Sequence, residues 1–113
     1  MQGLRSILSG SIALFVLGHF GHHLVSFLTT PLLPYIRADF QLDYTASGML
    51  VSAFTVAYGF AQLPAGWLAD RLRPSLLITV AISGVALAGL VVSLTSNYWT
   101  MAIFLALMGI LGG

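Results

Sequence analysis

Pro64-Ala65-Gly66-Trp67-Leu68-Ala69-Asp70-Arg71-Leu72-Arg73-Pro74 is the stretch around which this chain is organised. The chain has four Lys and Arg and three Asp and Glu in all, and three of those seven charges fall between Asp70 and Arg73. Apolar runs long enough to cross a bilayer lie on either side. A tight charged turn between two such runs cannot sit in hydrocarbon, so it marks a membrane surface. Two arginines in so short a loop assign that surface to the cytoplasmic side, because short cytoplasmic loops carry an excess of Lys and Arg.

Composition supports a membrane protein throughout. The 113 residues are 58% hydrophobic and only 6% charged, with a mean hydropathy of +0.99. Soluble domains carry about 25% charged residues, so this chain has too little charge to cover a globular surface. The net charge of +1 comes without a basic tract for nucleic acid. Cysteine is absent, which excludes a disulfide framework or a thiolate metal site within the stretch. Arg5 ahead of an apolar run loosely resembles a signal peptide, but no small-x-small cleavage site follows, and the run reads as a retained span.

Outward from the loop, four apolar runs set the fold class: an all-α membrane protein with three spans and a truncated fourth. The first runs from about 7 to 36, between Arg5 and Arg37, whose separation is about 48 Å as ideal helix. Pro31 and Pro34 should bend or loosen its last third. A short polar connection, Arg37 to Tyr44, leads to the second run (about 45 to 67), for which Thr45 or Ser47 could supply the cap. Tyr44 and Trp67 are placed as interfacial aromatics. The third run, about 75 to 95, opens at Pro74 and is nearly apolar all round, which suits a lipid-facing position. The fourth starts at Trp99 and stops at Gly113, reaching about 22 Å where roughly 30 Å is needed. The expectation is an N-terminal piece of a longer protein. Small residues recur four apart at Gly48/Ser52, Ala65/Ala69, Gly84/Ala88, Ala102/Ala106 and Gly109/Gly113, a spacing that lets helices approach closely in lipid.

All three histidines, His19, His22 and His23, lie in the first run within an arc of about 100°, with Ser26 and Thr30 on the same stripe. They sit midway between Arg5 and Arg37, where ionisable groups are costly and by default face a cavity or a polar partner. The stripe therefore reads as a substrate or proton pathway, against the plainer alternative that neutral imidazoles bond to neighbouring helices. His-x-x-His-His also resembles one histidine box of membrane di-iron enzymes, but such a site needs several boxes near a membrane face, and no other histidine is present. In the second run Ser52, Thr55, Gly59 and Gln62 share an arc of about 80°. Hydroxyls there usually bond their own backbone, so Gln62 is the residue of interest as an interface group. No metal site, cofactor or enzymatic activity is expected.

Gly66-x-Leu68-Ala69-Asp70-Arg71 is similar to the loop between the second and third helices of major facilitator superfamily transporters. The family usually continues x-Gly-Arg-Lys, where this chain has Leu72-Arg73-Pro74-Ser75. Pro31-Leu32-Leu33-Pro34, Gly48 to Phe54, Tyr58-Gly59 and Gln62 to Trp67 resemble the family's pattern as well. His19-Phe20 resembles a drug-efflux branch related to fosmidomycin-resistance proteins, in which an acidic residue often stands at the position of His23. The resemblance implies a twelve-helix, two-lobed permease working by alternating access, with no nucleic-acid partner. The first and fourth helices would line the cavity, the second would meet the other lobe, and the third would lie outside. It also implies a cytoplasmic gate at Gly66, Asp70, Arg71 and Arg73, with Asp70 bracing a helix of the second lobe. Many proton-coupled members have an arginine four positions before a glycine in the fourth helix; here Leu105 precedes Gly109.

The reading is a multi-pass transporter of the cell (inner) membrane that moves a small solute or drug, coupled to protons, with its N-terminus cytoplasmic. Its partners would be the bilayer, the solute and the remaining helices. A small structural or subunit-type membrane protein is the alternative, and a di-iron enzyme fragment a remote one. The orientation is directly testable: a cysteine placed at Ser75 should react only with reagent supplied from the cytoplasmic side, and one at Gln41 only from outside. The reverse labelling would overturn the arginine count.

Overall fold

The computed structural model describes residues 10–113 and contains five α-helices there: α1 (Gly10–Phe27), α2 (Thr29–Asp39), α3 (Tyr44–Ala69), α4 (Pro74–Leu94) and α5 (Tyr98–Gly112). Arg5 and the start of the first run lie outside the described residues. Three stretches are long and apolar enough to cross a membrane: Ile12–Asp39, Tyr44–Ala69 and Pro74–Leu94. Apart from the turn at Leu28 these stretches are continuous helix, the form that satisfies backbone polar groups within one segment in hydrocarbon.

The first stretch is two helices with a single turn residue, Leu28, between them. Pro31 explains the break: it has no N–H to offer the Phe27 carbonyl, and its ring crowds that carbonyl. The axis nevertheless continues, with the Leu32 N–H reaching Leu28 O at 3.3 Å. Helix α2 runs on to Asp39 through the first part of what reads in sequence as a polar connection. It ends with the Leu42 N–H on Arg37 O at 2.9 Å and the Gln41 N–H on Ala38 O at 3.3 Å. That is the six-to-one and five-to-two pattern of a Schellman motif, and Gln41 stands at its left-handed position, with φ 52°, where glycine is usual.

Two caps differ from expectation or go beyond it. The α3 cap is Asp43, whose carboxylate accepts from the Ala46 N–H at 2.7 Å, whereas Thr45 and Ser47 do not cap. Ser47 instead donates to its own backbone at Asp43 O. Asn97 caps α5, accepting from the N–H groups of Trp99 and Thr100 at 2.9 and 3.1 Å. Both are the short polar side chains that suit this position. At the same end Tyr98 donates to Ala46 O at 3.0 Å and ties α5 to α3.

Helix α5 is the centre of the packing, seated against α3 on one side and α4 on the other, with α1 resting on α4 and α5. The buried core is Leu50 and Phe54 from α3, Val85 and Ala88 from α4, and Met101, Leu105 and Met108 from α5. Gly109 sets the α3–α5 distance. A β-carbon there would collide with Phe54 O and stand 2.9 Å from Tyr58 N. One turn on, a β-carbon at Gly113 would lie 2.7 Å from Tyr58 O. Gly84 and Ala88 face the bundle too: Ala88 is buried, and a β-carbon on Gly84 would press on Leu111. Gly48, by contrast, has open space around it and Ser52 is exposed, so that pair makes no close approach within this chain. Helix α4 buries only Val85 and Ala88, in keeping with its apolar outer surface.

Gly109→Ala should therefore lower the melting temperature in detergent of the protein that carries this chain, by overpacking worth about 1–3 kcal/mol. Gly48→Ala, in a helix interior with free space, should leave it equal or higher, since alanine gains about 1 kcal/mol of helix propensity. Equal melting temperatures for wild type and Gly109→Ala would show that α3 and α5 are not held at backbone contact.

Candidate functional site

Close contacts dock α1 onto the rest. A β-carbon at Gly18 would lie 3.4 Å from Ile82 Cδ1, and one at Gly89 would lie 3.0 Å from Val25 Cγ1. With α1 so placed, its histidines face a groove of about 560 Å³ bounded by α1, α3, α4 and the end of α5. His19, His22 and His23 line it on one wall, Tyr58 stands on α3, Ile78 and Ile82 on α4, and Gly112 on α5. The size falls within the 300–1,000 Å³ range of small-molecule sites, and the mix of a mostly apolar lining with few polar groups is typical of them.

The imidazoles are ordered by ring contacts at helical spacing. Phe15 stacks on His19 with centroids 6.0 Å apart. His19 meets His23 edge-on at 4.5 Å, and His23 stacks on Phe27 at 5.8 Å. Phe27 then contacts Phe54 and Tyr58 on α3. Residues four apart on a helix lie above one another, so Phe15, His19, His23 and Phe27 form one ladder. The signal is present in the sequence as aromatic and imidazole rings at every fourth position.

His22 sits beside the ladder, edge-on to His23 at 5.5 Å, and points toward α5. Ser26, one turn further on, is 2% exposed. A β-carbon at Gly112 would lie 3.6 Å from Ser26 Oγ and 3.7 Å from His22 Nε2. Gly112, which has no side chain, is thus the residue that α5 brings against these two groups. His22 Nδ1 and Ser26 Oγ are both buried without a hydrogen-bond partner among the described residues. Such groups are rare in a folded interior and call for an explanation. Thr30 is not brought into this arrangement: it lies past the break at Leu28 and is exposed, outside the groove lining.

On α3 the residues Ser52, Thr55, Gly59 and Gln62 are all exposed and form one outward face. Thr55 donates to Val51 O at 2.9 Å, as a hydroxyl in a membrane helix commonly does. Gln62 keeps its amide exposed on that face, away from the histidine groove. A second groove of about 790 Å³ runs between α3 and α4 below the end of α5, lined by Ala57, Ala61, Ala65, Leu77 and Ile78 among others. No titratable side chain lines it among the described residues.

The charged loop is exposed from Asp70 to Pro74. Asp70 is the C-cap of α3 and its N–H bonds to Leu68 O. A carboxylate at a helix C-terminus meets the negative end of the macrodipole, so helix stability does not account for Asp70. Arg71 lies over the Trp67 ring, 3.9 Å from its centroid, and Arg73 precedes Pro74 in extended conformation as the N-cap of α4. Gly66 has open space around it. At the other end Arg37 lies over Tyr44 at 4.0 Å. Each membrane surface thus has an arginine held on an interfacial aromatic.

Apolar spans, charges confined to the two ends and a solute-sized groove between helices define an integral, multi-pass membrane protein. The sequence profile described as Major Facilitator Superfamily matches residues 15–113, and the chain belongs to that family. Residues of this chain are 27% identical over 79 positions to an uncharacterized MFS-type transporter, YceJ, of Bacillus subtilis, covering 70% of this chain and 20% of that protein. They are 25% identical over 97 positions to the phosphoglycerate transporter protein of Salmonella typhimurium, covering 86% and 21%. A shorter likeness, 49% over 43 positions, is to a probable L-galactonate transporter of Escherichia coli, covering 38% and 10%. The chain matches about a fifth of the length of the first of these relatives. No solved structure matches it.

Proposed function

We propose that this chain forms the N-terminal part of a permease that moves a small organic ion across the cell (inner) membrane by alternating access, coupled to protons. The observation that carries the reading is the groove lined by His19, His22 and His23 in the middle of the first span. Ionisable side chains at that depth mark solute or proton pathways, since nothing in lipid repays their cost. The names of two relatives, a phosphoglycerate transporter and a probable L-galactonate transporter, support an organic anion as the solute. The resemblance of His19-Phe20 to a drug-efflux branch supports outward transport.

The remaining features fit the same reading. The exposed face of Ser52, Thr55, Gly59 and Gln62 supports contact between α3 and a second lobe. Asp70, which the helix itself does not need, supports a brace at the cytoplasmic gate, with Arg71 preorganised on Trp67. The arginine count supports a cytoplasmic N-terminus. Imidazole is the side chain generally suited to taking up and releasing a proton in the physiological range, which supports proton coupling at this wall. Tyr58 is the titratable group that faces the three histidines from α3, and α4 and α5 present none to the groove.

The test uses the whole protein in vesicles with a transported anion. Each histidine is replaced singly by glutamine, and transport is followed against external pH. His19→Gln or His23→Gln should flatten the pH dependence, while His22→Gln should act mainly through the Ser26–Gly112 contact. An unchanged pH profile in all three would return the histidines to a packing role. In the same assay Asp70→Asn should slow transport by about ten-fold or more, the loss of one charge-assisted contact, with membrane insertion unaltered.

A further inference from the structure

The wall that this chain gives the groove has an uneven chemistry. Its polar side chains are three imidazoles and one phenol, and the rest is hydrocarbon and backbone. Among the described residues the lining contains no carboxylate, amide or aliphatic hydroxyl. A sugar acid brings a hydroxyl on nearly every carbon, and each one left without a partner in such a site weakens binding. A solute matched to this wall carries one anionic group for the imidazole N–H donors and an apolar remainder.

The ladder narrows the shape of that remainder. Stacking within the Phe15–His19 and His23–Phe27 pairs, with interplanar angles of 17° and 13°, occupies one face of each ring. His19 and His23 meet each other edge to face, and among the described residues their ring nitrogens take no hydrogen bond. Phe15 is 55% exposed and lines the groove together with Leu14 and Gly18. An exposed aromatic face next to two imidazole edges is matched by a flat ring bearing a single acid group, through offset stacking and one charge-assisted hydrogen bond.

We infer that the groove selects an aryl monoanion, an aromatic ring with one carboxylate or sulfonate, with Phe15 reading the ring and His19 and His23 reading the acid. This rests on the groove being the solute path. It differs from the sugar acid or phosphorylated acid for which two relatives are named.

The experiment measures equilibrium binding of labelled benzenesulfonate to the whole protein in lipid nanodiscs, with cyclohexanesulfonate and gluconate as competitors. Benzenesulfonate is permanently charged, so passive entry into lipid does not confuse the measurement. The wild type should bind benzenesulfonate about three- to ten-fold more tightly than cyclohexanesulfonate, the span expected of one aromatic contact, and more tightly still than gluconate. Phe15→Leu should bring the benzene-to-cyclohexane ratio close to one; being a ratio within one variant, it is insensitive to the folded fraction. A ratio near one in the wild type, or a ratio unchanged in Phe15→Leu, overturns the role of the ladder. Tighter binding of gluconate overturns the aryl class while leaving an organic-anion permease intact. Binding of none of the three overturns both readings together.

Discussion

The contact on which the structure depends is the approach of α5 to the backbone of α3 at Gly109. In lipid, apolar side chains have no water to escape, and helix association relies on close van der Waals packing. Gly109 supplies that by bringing α5 against the Phe54 carbonyl and the Tyr58 amide. Leu105 and Met108 then fill the space toward α4 with Val85 and Ala88. The same approach carries Gly112 to the face of α1, where it covers His22 and Ser26 with backbone alone. One small residue thus sets both the packing and the roof of the histidine groove.

Polar groups in the rest of the bundle are used sparingly. Thr55, Thr79 and Ser93 return their hydroxyl protons to carbonyls of their own helices. Asp43 and Asn97 accept backbone N–H bonds at helix starts with their side-chain oxygens. Arg37 and Arg71 lie on aromatic rings at the two ends. Against that economy, His22 Nδ1 and Ser26 Oγ stand out as buried atoms with no hydrogen-bond partner among the described residues. Asp70 stands out too, a carboxylate at the unfavourable end of a helix dipole. Neither is explained by folding: Asp70 is the residue read as a gate brace, and His22 and Ser26 adjoin the His19–His23 wall read as the solute and proton path.

Much of this was written plainly in the sequence. Hydropathy and the charged turn at Asp70–Arg73 determined the membrane class and the apolar spans, because a bilayer sorts residues by transfer energy almost independently of tertiary contacts. The spacing of His19, His22 and His23 determined that they share a face, because helix geometry is local. Asp43 and Asn97 as caps were also legible, each a short polar residue just before an apolar run, although Thr45 and Ser47 are residue types that suit the first position equally. The break at Leu28 followed from Pro31, whose effect falls one turn upstream of the residue itself.

Which faces meet was decided only by the tertiary structure. Five small-residue pairs looked alike in sequence, yet Gly109/Gly113 makes the backbone contact and Gly48 faces open space. Spacing encodes the ability to pack and says nothing of the partner. Tyr58, distant in sequence from the histidines, enters their groove because α5 holds α3 at that distance. Thr30, on the same projected stripe, leaves it because the helix is interrupted between Phe27 and Thr29. Sequence determines what each helix can present, through its composition and period; the approach of one backbone to another, which no single helix contains, decides what is presented to what.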